Sequence, residues 1–168
     1  MIKINKLLKK YHNDWNQILK EASLLEDRGA IDDAIAIYTA FLSKTPSHAG
    51  VQEALATAFL KGGEFSKSYS AFNKALKWGA NRPQTYLHKG IVEARLGLHE
   101  EAFESINQAL RLKENYSLAH NNLGLFYKDV GRLDEAVDSY RRAIACDPAY
   151  TQAHSNLLYL LYFNPDHN

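Results

Sequence analysis

The residues in this chain that could do chemistry are seven histidines, a single cysteine, Cys146, and the adjacent glycines Gly62 and Gly63. Metal hydrolysis would need two histidines one helical turn apart with a glutamate between them, and no His-Glu-x-x-His stretch occurs. One cysteine cannot make a Cys-x-x-Cys zinc pair or an intrachain disulfide. Gly62-Gly63 lacks the lysine and hydroxyl residue of a phosphate-cradling loop. No Ser-His-Asp or Cys-His arrangement follows from the spacing. His120 and His154 stand 34 residues apart. A metal bridging them is one reading; two packing histidines at equivalent positions is the favoured one.

That interval of 34 belongs to the whole chain. Gly29, Gly63, Gly97 and Gly131 follow one another at 34 residues without insertion. Five residues after each comes Ala34, Ser68, Ala102 or Ala136, and four further on Tyr38, Phe72, Ile106 or Tyr140. Seven residues before each comes Ala22, Ala56, Gly90 or Gly124. Pro46 and Pro148 each lie 17 residues after their glycine. A fixed period of this length marks a repeat architecture whose units bury their apolar faces against their neighbours.

The pattern resembles the tetratricopeptide repeat, written W-x2-L-G-x2-Y, then A-x3-F, then P. Its fullest copy is His120-Asn-Asn-Leu-Gly-Leu-Phe-Tyr127 followed by Ala136, Tyr140, Ala143 and Pro148. The resemblance implies an all-α, right-handed solenoid of antiparallel helix pairs. Four full repeats are expected at 15–48, 49–82, 83–116 and 117–150, with a capping helix over 1–14 and a half repeat over 151–168.

Within each repeat the apolar spacing predicts two amphipathic helices around a turn. The turn glycine is expected to be left-handed. Asp32, Ser66 and Asp134 are expected to cap the second helices, with Glu100 a weaker cap. Gly124 and Ala136 should let paired helices approach closely, and Ala75, Ala109 and Ala143 should do so between repeats. Phe41 takes that last position in the first repeat and predicts a local shift there. Cys146, at a position held elsewhere by Trp78 and Leu112, reads as packing.

At the ends, Ile4, Leu7, Leu8 and Tyr11 predict the apolar face of the N-terminal helix, with lysines outward; a cap is favoured over a membrane-surface helix. Leu157 to Phe163 is an unbroken apolar run. Leu158, Leu161, Tyr162 and Phe163 are therefore candidate self-association residues.

The resemblance further implies a concave groove lined by the first helix of each pair. It would carry Asn16, Leu19, Lys20, Ser23 and Asp27 from the first repeat, Glu53, Thr57 and Lys61 from the second, and Gln84, Leu87, His88, Ile91 and Arg95 from the third. Leu118, Asn121, Asn122, Leu125 and Asp129 come from the fourth, and Asn156 and Tyr159 from the half repeat. The cationic set with which chaperone-binding members hold a C-terminal carboxylate is not matched, since Leu19, Ser23, Ala54, Gln84 and His88 occupy it. Asn122 and Asn156, at equivalent positions, suit an extended peptide backbone. With Ala119-His-Asn-Asn-Leu-Gly and Ala153-His-Ser-Asn-Leu-Leu they resemble the repeat region of O-linked N-acetylglucosaminyltransferases. Lys20, Ala54 and His88 depart from that ladder.

The net charge of +1 and the near-equal acid and base counts give no support for a nucleic-acid partner. No apolar run has the length of a membrane span or signal peptide, which points to the cytoplasm. The sequence thus predicts a non-catalytic scaffold without cofactor or metal, binding a protein or peptide in the groove. The alternatives are the substrate-recruiting arm of a glycosyltransferase and a homo-oligomer joined through the last helix.

Overall fold

The computed structural model describes residues 6, 7, 10–12 and 14–163, except for the Phe163 side chain. All regular structure among them is helical: α1 (Trp15–Asp27), α2 (Ile31–Leu42), α3 (Ala49–Lys61), α4 (Phe65–Lys77), α5 (Pro83–Arg95), α6 (His99–Leu112), α7 (Ser117–Asp129), α8 (Leu133–Cys146) and α9 (Thr151–Phe163). Residues 1–81 form one compact unit and residues 82–168 a second.

The turns inside the helix pairs share one construction. Gly29, Gly63, Gly97 and Gly131 have φ of 79°, 75°, 76° and 79°. A Cβ would meet nothing within 4 Å at any of them, so the backbone conformation, rather than space, selects glycine. The residue after each glycine donates its N–H to the carbonyl five residues back: Ala30 to Leu25 (2.8 Å), Glu64 to Phe59 (2.9 Å), Leu98 to Glu93 (2.9 Å) and Arg132 to Tyr127 (2.8 Å). With the glycine N–H bonding three residues back, this is a Schellman closure.

The closure corrects the expected caps. The residue that completes each closure also serves as N-cap of the second helix: Ala30, Glu64, Leu98 and Arg132, none with a side-chain cap bond. Asp32, Ser66, Glu100 and Asp134 lie inside the first turn of the second helix instead. There the three acids favour the positive end of the helix dipole without capping it.

In the first unit, Ile18, Ala22, Ala34, Ile37, Tyr38 and Ala58 are buried in one core, and Leu7 joins them. Tyr11 packs beside that core and donates its hydroxyl to Glu21 Oε2 at 3.0 Å. Ile4 and Leu8, also expected on this face, lie outside the described residues. Ser68, at the small-residue position, is buried and donates to the Ala56 carbonyl at 2.7 Å, so its hydroxyl is satisfied by the facing helix. Phe41 is half-buried, its ring edge-on to Trp15 (5.3 Å) and His48 (5.2 Å). His48 in turn caps α3 by accepting from the Val51 N–H at 3.2 Å.

In the second unit the close approach is most explicit at Gly124. A Cβ there would stand 2.5 Å from Tyr140 Cε1. At Gly90 it would stand 2.8 Å from Ile106 Cγ1 and 3.1 Å from the Ala102 carbonyl. Tyr140, wholly buried, lies over the surface that glycine leaves; such a side chain contributes about 1.5–3 kcal/mol. Leu158 on α9 stands at this same register position, where the full repeats have Ala22, Ala56, Gly90 and Gly124, and is 68% exposed. Leu160 is buried against Ala136, Val137 and Tyr140, with Leu157 and Leu161 partly buried beside it.

Candidate peptide-binding site

Inside the second unit, α5 and α7 border a recess of about 390 Å³. That volume lies at the small end of the range of ligand sites. Ile91, Ala94, Ile106, Leu125 and Phe126 make its apolar walls, and Asn122, Arg95, His99, Lys128 and Asp129 supply polar groups. The one-turn spacing of Ile91 and Arg95 on α5, and of Asn122, Leu125 and Asp129 on α7, puts these side chains on matching faces. Lys128 Nζ lies 3.6 Å from Asp129 Oδ1. Asn122 Nδ2 donates to the Leu118 carbonyl at 2.8 Å. The His99 ring tilts against Phe126 at 6.0 Å.

Of the expected groove residues, Ile91, Arg95, Asn122, Leu125 and Asp129 therefore share one recess. Leu118 is exposed and His88 half-buried, and neither lines it. Leu87 is fully buried within a core with Ile106, Ala109 and Tyr116, and it presents no surface to a ligand. Asn121 is also buried, its Oδ1 accepting from Asn156 Nδ2 at 2.8 Å. That bond shows the cause: this register position faces the next first helix rather than open space. Asn156 uses its other end as well, accepting from Gln152 Nε2 at 3.4 Å. Tyr159 is 58% exposed on α9, as is Tyr162 at 81%, while Leu161 is half-buried. The Phe163 side chain lies outside the described residues.

The sequence reading passed over Ala94, His99, Ile106, Phe126 and Lys128 as walls. Ile106 and Phe126 carry ordinary packing signals, and only the facing helices show that part of each borders an opening.

The two equivalent histidines behave alike. His120 Nε2 donates to the Glu114 carbonyl at 3.0 Å and His154 Nε2 to the Pro148 carbonyl at 2.9 Å, each six residues back. A carbonyl only accepts, so each ring carries its proton on Nε2. Burial holds the His120 pKa below its ordinary value. No group of three or more His, Cys, Asp or Glu side chains that could hold a metal occurs among the described residues. Cys146 is half-buried and free. No helix among the described residues is long and apolar enough to cross a membrane.

Three models of the tetratricopeptide repeat match the chain, over residues 19–85, 83–116 and 117–150. Together with the fold, they show that the chain belongs to the tetratricopeptide repeat family. No curated protein matches it. Among solved structures it is similar to TTC0263, a thermophilic TPR protein of Thermus thermophilus: 22% identity, 94% of this chain and 87% of that one, TM-score 0.78. It is similar to YrrB, a TPR protein with an unusual peptide-binding site: 22% identity, 96% and 84% covered, TM-score 0.73. It is also similar to MamA residues 41-end of Desulfovibrio magneticus RS-1: 18% identity, 92% and 88% covered, TM-score 0.79. At these identities the likeness is one of fold.

Proposed function

We propose that this protein is a non-catalytic binding module that holds a peptide segment of another protein against the first helices of its second unit. The supporting observation is the recess between α5 and α7, which joins an apolar floor to a few convergent polar groups. Membership of a repeat family used for protein recognition, and the peptide-binding site named for YrrB, agree with it. Asn122 can serve a peptide backbone from its Oδ1, which accepts no bond among the described residues; Asn156 would first have to give up its bonds to Asn121 and Gln152.

A peptide array of overlapping 15-residue segments, probed with the protein and with an Ile91→Arg/Leu125→Arg variant, tests this. Capture of a subset by the protein and its loss in the variant are expected. Equal capture by both would move binding away from the recess.

A second reading is self-association through α9, supported by the exposure of Leu158 and Tyr162. Light scattering on the protein and on a Leu158→Ser/Tyr162→Ser variant tests it; a monomer in both removes it. The reading as the recruiting arm of a glycosyltransferase has only the two asparagines and the short stretches around them behind it. It requires sugar transfer by a longer product carrying this chain.

A further inference from the structure

Glu26, Tyr38 and Lys61 in the first unit recur two periods later as Ala94, Ile106 and Asp129. In the first unit the three side chains join. Tyr38 donates its hydroxyl to Glu26 Oε1 at 2.7 Å, and Lys61 Nζ lies 2.8 Å from Glu26 Oε2. In the second unit a methyl group, an aliphatic chain and a carboxylate hold those places, and no such linkage can form between them. All three line the recess. At the corresponding place in the first unit stand a phenol, a carboxylate and an ammonium bonded to one another.

The charge on the rim has changed with it. Arg95 stands where the first unit has Asp27. It lines the recess and is exposed. It makes no hydrogen bond or ion pair among the described residues. Asp129 has Lys128 at 3.6 Å, so the uncompensated charge on the rim is positive.

Resting on the groove-binding reading above, we propose that the recess takes one bulky apolar side chain of a peptide whose adjacent residue is acidic. The acidic carboxylate pairs with Arg95, and the peptide N–H groups have Asn122 Oδ1 as acceptor. An arginine fork is suited to a carboxylate, and the pairing at an exposed rim adds selectivity more than strength.

The test is an NMR titration with four blocked peptides in a Gly-Ser frame, carrying Leu-Glu, Leu-Gln, Leu-Lys or Ala-Glu at the centre. Leu-Glu should bind about two- to fivefold more tightly than Leu-Gln, as expected for an exposed ion pair, and the margin should shrink with salt. Ala-Glu should bind weakest. Arg95→Glu should turn the preference toward Leu-Lys. Ala94→Glu/Ile106→Tyr/Asp129→Lys, which copies the first unit's closure, should abolish binding. Gly90 gives a tyrosine at 106 the room that Gly124 gives Tyr140. Circular dichroism on that variant checks its fold, and Arg95→Glu, a surface change, stands if the triple variant unfolds. Equal binding of Leu-Glu, Leu-Gln and Leu-Lys would overturn the acidic preference while leaving the groove reading intact. No shift at Asn122, Ile91 or Leu125 with any peptide would overturn both.

Discussion

Lys61 in the first unit and Lys89 in the second each reach a glutamate, under opposite conditions. Lys61 is 46% exposed, and Glu26, though only 8% exposed, has both oxygens engaged, by Tyr38 and by Lys61. Lys89 pairs with Glu93, a side chain with no exposure at all, and also donates to Ser105 Oγ at 3.1 Å. Glu93 Oε2 is buried without a hydrogen-bond partner among the described residues. The neighbouring repeats put Leu55 and Phe59, or Leu123 and Tyr127, at the two positions that Lys89 and Glu93 fill. The first unit thus closes a rim with charge, whereas the second carries charge in a place built for hydrocarbon. Taking ions out of water offsets most of their attraction, so such a pair is costly to break and cheap to replace as a whole.

The comparison is most exposed at Glu93. Glu93→Ala should cost about 3–5 kcal/mol in urea unfolding, since it breaks a pair whose carboxylate is wholly buried. Lys61→Ala should cost about 1 kcal/mol or less, as an exposed pair does. Similar costs for the two would erase the distinction between rim and core.

Replacing the pair together, as Lys89→Leu/Glu93→Tyr, copies the fourth repeat. It should leave stability unchanged or raise it by about 1–4 kcal/mol. A loss as large as that of Glu93→Ala would show that the pair is needed for itself.

The same contrast holds for two tyrosines at one register position. Tyr38 donates to Glu26, whereas the Tyr140 hydroxyl is buried without a hydrogen-bond partner among the described residues, and burial pushes its pKa up to about 12. Tyr38→Phe should lower stability by about 1–3 kcal/mol, leaving a buried carboxylate oxygen unbonded. Tyr140→Phe should be neutral or slightly stabilising. Thermal melts of the two variants decide it.

The smallest effect is in pH. His120 has its folded pKa depressed by burial, so the unfolded chain takes up the proton first as pH falls below about 6.5. Its contribution is present above that pH and is lost as pH falls through the folded value. His120→Tyr, the residue of the preceding repeat at Tyr86, should flatten the stability–pH curve between pH 7 and 5. An unchanged slope would assign the acid loss to carboxylates.

The period, the glycine turns and the close approach within each helix pair were legible because each recurs at a fixed spacing from copy to copy. Gly124 and Tyr140 are 16 positions apart, and their fit recurs in every copy. The caps were not, because Ala30 and Arg132 act through backbone geometry and carry no side-chain signal. Leu87 and Asn121 look like surface residues on a lone helix and are buried only once a neighbouring helix is laid on them. Lys89 and Glu93 did leave a trace: a charge at each of two positions that are apolar in the flanking repeats. The recess was least visible. Ala94 and Ile106 look ordinary until Glu26 and Tyr38 are seen to bond.

Leu158 has a consequence for how this chain could be lengthened. A second helix packed against α9 as α8 packs against α7 would bring its large side chain onto position 158, where a glycine in the fourth repeat already leaves no room for a methyl group. Grafting another 34-residue copy in register would first require Leu158→Gly or Leu158→Ala. The volume of one side chain, set at the position where the other repeats keep theirs smallest, acts as a lock on modular growth.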